Sequence, residues 1–375
     1  MRKALNFGSI LHSHAVHFFA LAAPDLLLGI DAPAADRNIV ALLRSFPEVA
    51  KGALRLRSIG QKVTEVIGGR GTHPVSSVAG GLAAPLSADR YEALVKLAEE
   101  SLPLACLLVE TARDALRSKN ELLQSLPLTT SYLGTVKGGA LDLYDGTLRL
   151  RTTNGADVEF SEDEWMSRLC EEVVPTSYAK YVSCSNSRGE AVHYRVGALA
   201  RLNCCDRIDT PLAQAELERF RELGGNPCHQ TVMYHYARLV ELLHAAEALV
   251  EIARDDEIRC DVVRTPPQGT PRNATAHVEA PRGVLIHDYE VDANGIVTKA
   301  NLIVATQQNT SAIDETIKMS AARYLDQPDE VLLNGIEFGI RCYDPCLSCA
   351  THRLGDMKLD VTVRQRGEVI RRVRR

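Results

Sequence analysis

An α+β fold is predicted by three features of the 375-residue sequence. Segments in both halves repeat apolar residues at helical spacing, a middle stretch alternates them at strand spacing, and an Asp-Ala-Asn-Gly turn separates two strand-like runs late in the chain. The expected architecture is a core bundle of long helices, a β-rich insertion and a β-hairpin. Domain boundaries are placed at residues 1–128, 129–205, 206–352 and 353–375.

In chain order, residues 5–28 carry the first apolar helical face, and residues 39–67 a second that stops at Gly68 and Gly69. After a Gly/Pro-punctuated loop, Ser87 offers an N-cap to a long helix striped by Tyr91, Leu94, Ala98, Leu102, Ala105, Val109 and Ala112. Pro103 predicts a kink there, because its ring crowds the carbonyl one turn back. Between Thr129 and about Asn203, alternating runs such as residues 147–151 lie between Asp145-Gly146 and Asn154-Gly155 turns, marking the β-rich insertion. Helical periodicity returns after Thr210. The clearest helix follows Asn226-Pro227, with Val232, Tyr236, Leu239, Val240, Leu243, Ala246, Val250 and Ala253 on one buried stripe. The hairpin pairs residues 284–291 with 296–305, and another helix covers 311–324.

Apolar residues make up 45% and charged residues 24%, the usage of a folded globular chain. A net charge of -5 and a pI near 6.1 give no basic field for nucleic acid. The greasiest stretch, residues 15–30, is broken by Pro24 and Asp25, so no membrane span is predicted. The first residues also lack a signal-peptide pattern, which predicts a cytoplasmic address. Ten cysteines in such a chain are thiols or metal ligands rather than a disulfide framework.

The sharpest local feature runs from Asp344 to His352, Asp-Pro-Cys-Leu-Ser-Cys-Ala-Thr-His. Cys346 and Cys349 sit at a spacing that brings two thiolates to one soft or borderline metal. Alone, the pair also reads as a redox dithiol or as two buried cysteines in a turn. Three histidines, His12, His14 and His17, lie on the first helix near its apolar face; on a lone helix such residues are more often satisfied core histidines than ligands.

Four segments together resemble one family. They are Ile10 to Phe19 with its His-Ser-His-Ala-Val-His-Phe-Phe wording, Gly69 to Val75, Glu279-Ala280-Pro281-Arg282-Gly283, and Asp344 to His352. In this order they resemble the large subunit of NiFe hydrogenases, in particular the cytoplasmic branch coupled to soluble carriers. The resemblance implies a buried centre of nickel and iron, the iron carrying carbon monoxide and cyanide, and reversible oxidation of dihydrogen to protons and electrons. Cys346 would be a terminal nickel ligand and Cys349 a nickel–iron bridge.

The same resemblance gives Arg282 a place over the metals, where it donates hydrogen bonds or, with Cys346, takes a proton from dihydrogen. Its alternative is a surface or carboxylate-paired arginine. Asp344 would pair with Arg282 and orient it, Pro281 would stiffen the approach, and Ala305 and Thr306 would contact cyanide. His17 is the histidine expected to support the site, while Arg70 and His73 would frame the pocket. His352 would bind magnesium or another divalent ion after an endopeptidase removes residues 353–375, a tail of eight basic and three acidic residues. That tail also reads as a terminal strand pair. Implied partners are a small subunit carrying 4Fe–4S clusters, the maturation endopeptidase and nickel-insertion proteins. A second Cys-x-x-Cys pair, which the family places before the histidine-rich helix, is not in this sequence. The expectation is a chain shortened at its start; the alternative is a metal-deficient paralogue with a structural or assembly role.

Overall fold

The computed structural model describes residues 1–33, 37–153, 156–269, 272–345 and 360–374. Helix α1, Arg2–Ala15, continues into wider π-helical turns at Val16–Ala22 and Pro24–Leu28. The apolar run 5–28 is thus helical as predicted, but its second half is underwound, a change that periodicity does not signal. Pro24 contributes no amide hydrogen to that stretch.

Residues 39–67 form two helices rather than one: α2, Ile39–Ser45, and α3, Pro47–Gly68. Pro47 sets the break, because it disfavours helical backbone at Phe46 yet is tolerated in the first turn of the next helix. Asn38 caps α2 by accepting from the amides of Val40 and Ala41 at 2.9 and 3.2 Å. Gly69 ends α3 in the left-handed region, at φ 81°. Helix α4, Ala88–Arg117, runs through Pro103 as a single element. Ser87 does occupy its N-cap position, but the hydroxyl makes no capping bond.

The expected β-rich stretch holds two small sheets. In the first, β1 (Ser131–Lys137) pairs antiparallel with β2 (Thr147–Arg151), which pairs with β3 (Val158–Phe160). In the second, β4 (Leu169–Glu172) pairs with β5 (Tyr181–Ser185), and β6 (Tyr194–Arg195) then returns to the first sheet parallel to β1. The stretch closes on a helix, not a strand: α5, Ala198–Cys204, is buried along its whole length.

Helix α6, Pro211–Gly224, precedes α7, Tyr234–Arg254, the centre of the bundle. The single stripe predicted for α7 understates it, since 18 of its 21 residues are buried. Contacts from α1, α4, α5 and α6 cover it on several sides, so its polar residues His235, Arg238, Glu241, His244 and Glu247 lie inside the protein too.

The predicted hairpin is present as β8 (Gly283–Val291) and β9 (Val297–Ile303), with an unforeseen β7 (Asn273–Ala280) antiparallel to β8. Ala305 is not on the second strand but opens a short helix, α8, Ala305–Gln308. Helix α9, Thr310–Arg323, matches its prediction within a residue; α10, Asp329–Arg341, was not anticipated although Pro328-Asp329-Glu330 is a recognisable start signal. β10 (Asp360–Gln365) and β11 (Glu368–Arg374) form the terminal strand pair. Among the described residues no helix is long and apolar enough to cross a membrane.

Helices α1 and α3 approach so closely that Gly60 has no room for a side chain. A β-carbon there would lie 2.5 Å from the Gly8 carbonyl oxygen and 2.6 Å from the His12 nitrogen, both backbone atoms. Gly60→Ala is therefore expected to cost about 1–3 kcal/mol of stability, read as a lower urea midpoint, because relief requires the helices to part.

Candidate metal centre

The site is assembled around a chain of buried charges. Arg201 on α5 donates from Nε and Nη2 to the two carboxylate oxygens of Glu241 on α7, both at 2.6 Å, and from Nη1 to Glu279 on β7 at 2.8 Å. All three side chains are fully buried. The same guanidinium donates to the carbonyls of Ala280 and Pro281 at 2.9 and 3.2 Å. Glu279 also accepts from the amide and hydroxyl of Thr135 on β1. One side chain thereby fixes the turn that carries Arg282 to both the central helix and the first sheet.

From that turn Arg282 reaches Asp344, donating from Nε to its carbonyl at 2.6 Å and from Nη2 to its carboxylate at 3.2 Å. Asp344 is buried, and its backbone lies in the left-handed region at φ 52°. Burial raises its pKa, opposed by Arg238 and Arg282. The sequence paired Arg282 with Asp344, and the structure brings them together. Pro281 lies beside them, held through its carbonyl.

The last turn of α10 is fixed independently. His17 pairs through Nε2 with the Arg341 carbonyl at 2.8 Å, and the same nitrogen lies 4.0 Å from the Asp344 carboxylate. Arg341 pairs with Asp25 in the π-helical stretch and with Glu337 at 3.2 Å, while Asp25 pairs with Arg37 at 2.9 Å. His17 stacks on His235 of α7, with ring centroids 5.6 Å apart, and His235 approaches the Cys342 thiol at 3.5 Å. Burial drives both histidines well below the ordinary imidazole range, with Arg238 adding to the effect. His14 pairs with Glu241 at 2.8 Å. Burial brings His14 down to about 4, outweighing the carboxylate; burial would raise Glu241, but Arg201 and His14 hold it down at about 2. The pair is thus neutral imidazole on carboxylate at neutral pH.

Of the other predicted positions, Ala305 is buried in an apolar cluster with Val284 and Ile303, and Thr306 follows it in α8. Arg70 and His73 are exposed on this chain, so their side chains do not line its interior. Cys346, Cys349 and His352 lie outside the described residues. Of the remaining cysteines, Cys184, Cys204, Cys205, Cys228 and Cys342 are buried, Cys106 is half-buried, and Cys170 and Cys260 are exposed. Burial pushes the Cys342 thiol up to about 12, which leaves it an inert packing residue. The sequence reading missed Arg201, Arg238, Glu241 and Glu279. For Arg238 and Glu241 the signal was the presence of charged residues inside the helical pattern of α7; Glu279 opens the quoted Glu279-Ala280-Pro281-Arg282-Gly283 segment, and Arg201 has no such signal.

Among the described residues no group of three His, Cys, Asp or Glu side chains could hold a metal ion. The surroundings of the motif do suit a thiolate-bound metal group. Arg282 and Arg238 flank Asp344, and two buried polar atoms there, Asp344 Oδ2 and Arg238 Nε, have no hydrogen-bond partner among the described residues.

The family profile for nickel-dependent hydrogenase matches residues 170–352. The chain is 36% identical to a subunit of the vhc F420-non-reducing hydrogenase of Methanococcus voltae, over 99% of this chain and 81% of that one. The chain belongs to the nickel-dependent hydrogenase large-subunit family. It is also 35% identical to the beta subunit of the NAD-reducing hydrogenase HoxS of Cupriavidus necator, over 97% of this chain and 78% of that one. The structure of an NAD+-reducing NiFe hydrogenase in the H2-reduced state superposes with a TM-score of 0.88 at 37% identity, covering 94% of this chain and 79% of that one. NiFeSe hydrogenase from Dm. baculatum shares the fold, with a TM-score of 0.66 at 19% identity over 94% of this chain and 81% of that one.

The buried charges of this hydrogenase chain can be probed in two ways. Arg201→Met leaves Glu241 and Glu279 buried without their cation and is expected to cost about 3–5 kcal/mol, measured by urea unfolding. His14 and His244, both held at about 4 by burial, take up protons near 6.5 once unfolded. Between those values the unfolded chain binds more protons, so stability falls as pH drops from about 6.5 towards 4. Urea midpoints are expected to decline between pH 7 and 5, and to decline less in His244→Gln.

Proposed function

We propose that this hydrogenase large subunit oxidises dihydrogen reversibly at a nickel–iron centre held by Cys346 and Cys349, with Arg282 and Asp344 beside it. The observation that carries this reading is the Arg282–Asp344 pair: an arginine from one turn clamped onto the residue two before Cys346. When bound, the nickel–iron group, its iron carrying carbon monoxide and cyanide, supplies the Lewis acidity that polarises dihydrogen.

The chain's own residues do the rest. Two hydrogen bonds to Asp344 fix the plane of the Arg282 guanidinium, so its orientation is set before substrate arrives. Cys346 Sγ would hold the proton released on splitting, and the charged Arg282 guanidinium would donate hydrogen bonds over the metals. Pro281 and the Arg201 clamp hold the turn rigid. Ala305 and Thr306 are assigned to the cyanide side, and His352 to a magnesium or other divalent ion. The electrons leave through a small subunit carrying 4Fe–4S clusters. Nickel-insertion proteins and an endopeptidase cutting after His352 complete the set of partners, and the enzyme works in the cytoplasm. Support comes from relatives named as subunits of F420-non-reducing and NAD-reducing hydrogenases.

The test is metal analysis and hydrogen-dependent dye reduction on the protein purified with its partner subunits. Nickel is expected at about one per large subunit, with iron in excess of nickel because the small subunit's 4Fe–4S clusters carry iron as well. Cys346→Ser and Cys349→Ser should lose nickel and activity together, whereas Arg282→Lys should keep the metals and lose activity about 10²-fold or more. Full nickel occupancy in Cys346→Ser would overturn the assignment.

A further inference from the structure

Three arginines are among the largest fully buried side chains, and they are treated very differently by their surroundings. Arg195 satisfies its donors with five neutral acceptors: the hydroxyls of Thr130, Thr231 and Tyr132 and the carbonyls of Leu128 and His229. Arg201 has two carboxylates and two carbonyls. Arg238, only 1% exposed, has one long hydrogen bond, from Nη1 to the Tyr234 carbonyl at 3.3 Å, and the face of the Tyr234 ring at 5.5 Å. Its Nε has no partner, and no carboxylate pairs with it among the described residues.

A guanidinium stays charged in a protein, so burial cannot neutralise it as it would a lysine. An unpaired buried charge is strongly disfavoured, and a fold retains one only where something else compensates. The groups around Arg238 are His14, His17 and His235, kept neutral at pH 7, the Cys342 thiol, and the carboxylates of Asp344 and Glu241. Glu241 is already engaged by Arg201 and His14. Asp344 is bound by Arg282 through Oδ1, and it leads directly into the Cys-x-x-Cys motif. Arg238 therefore feels Asp344 most among the nearby charges, yet among the described residues no carboxylate is hydrogen-bonded or ion-paired to it.

We propose that Arg238 is a fixed countercharge for the anionic, thiolate-bound metal group carried by the motif after Asp344, and that it is kept at the expense of the stability of the metal-free chain. The inference rests on the nickel–iron reading and adds a positioning residue, on α7, that acts by its field rather than by touching substrate. Four thiolates, counting the pair that the family places before the histidine-rich helix, together with cyanide outweigh the charge of two divalent metals and leave the group anionic, and a buried cation near it is little screened by water.

The test compares wild type with Arg238→Met, matched in shape and without charge, using the full chain in two states. In the metal-free chain Arg238→Met is expected to melt higher, by about 2–4 °C, since an uncompensated charge is removed. In protein matured with its partners, the same variant should carry at least about 10-fold less nickel than wild type, and Arg238→Lys should recover part of it. A metal-free variant that melts lower makes Arg238 a packing residue and overturns the proposal. So does a variant with undiminished nickel. Should Arg238→Met fail to fold, that outcome counts against the proposal as well, unless Arg238→Gln, which is polar and uncharged, reproduces both expected shifts. Wild type without nickel would overturn the function reading itself, a result distinct from equal nickel in wild type and variant.

Discussion

The bond on which the site depends is the bridge from Arg201 to Glu241 and Glu279. It joins three elements distant in sequence, α5, α7 and β7, in a setting where water cannot substitute for any of them. Ion pairs at a surface contribute little, because solvent competes for both partners. Here the carboxylates, once buried, need the guanidinium, and its remaining donors extend to the Ala280 and Pro281 carbonyls. The turn before Arg282 is thereby placed by electrostatics rather than by apolar packing, which gives it a defined position instead of a range of equally greasy ones.

The α7 helix has two functions that its apolar composition conceals. Its hydrophobic residues make it the bundle's axis, and its buried polar ones face protein. His235 meets His17 and Cys342, Glu241 meets Arg201 and His14, and Glu247 accepts from the amides of Leu212 and Ala213 at the start of α6. Each of these polar contacts ties α7 to a different element. Specificity of assembly comes from these contacts, while the apolar area supplies the driving force.

Much of the fold was readable from periodicity, and the limits of that reading have physical causes. Hydrophobic spacing found the long helices and the hairpin because burial acts on one face at a time. It could not find the two-sided burial of α7, since a helix wrapped on all sides has no stripe to detect. It also passed over Pro47, a breaker that divided one predicted helix into two. At the site, the neighbouring motifs Ala280-Pro281-Arg282-Gly283 and Asp344-Pro345 were legible from their wording, and the structure joins them through Arg282 and Asp344. Arg201 and Arg238 were not legible. A charged residue inside a helical pattern looks the same in sequence whether it meets solvent or lies at the centre of the molecule, and only the packing of α1, α4, α5 and α6 around α7 decides which.

The terminal hairpin of β10 and β11 is attached to the body by its own contacts. Val373 is buried against Tyr324, Leu332, Leu333 and Ile336, and Arg371 donates to Asp329 and to the carbonyls of Leu325 and Gln327. Asp344 is likewise anchored by Arg282, so the covalent link between residues 344 and 360 joins two points that are each secured without it. Cutting that link would not by itself discard the hairpin. Scission and departure are separate events with separate barriers, the second set by how long α9 and α10 retain a peptide no longer tied to them.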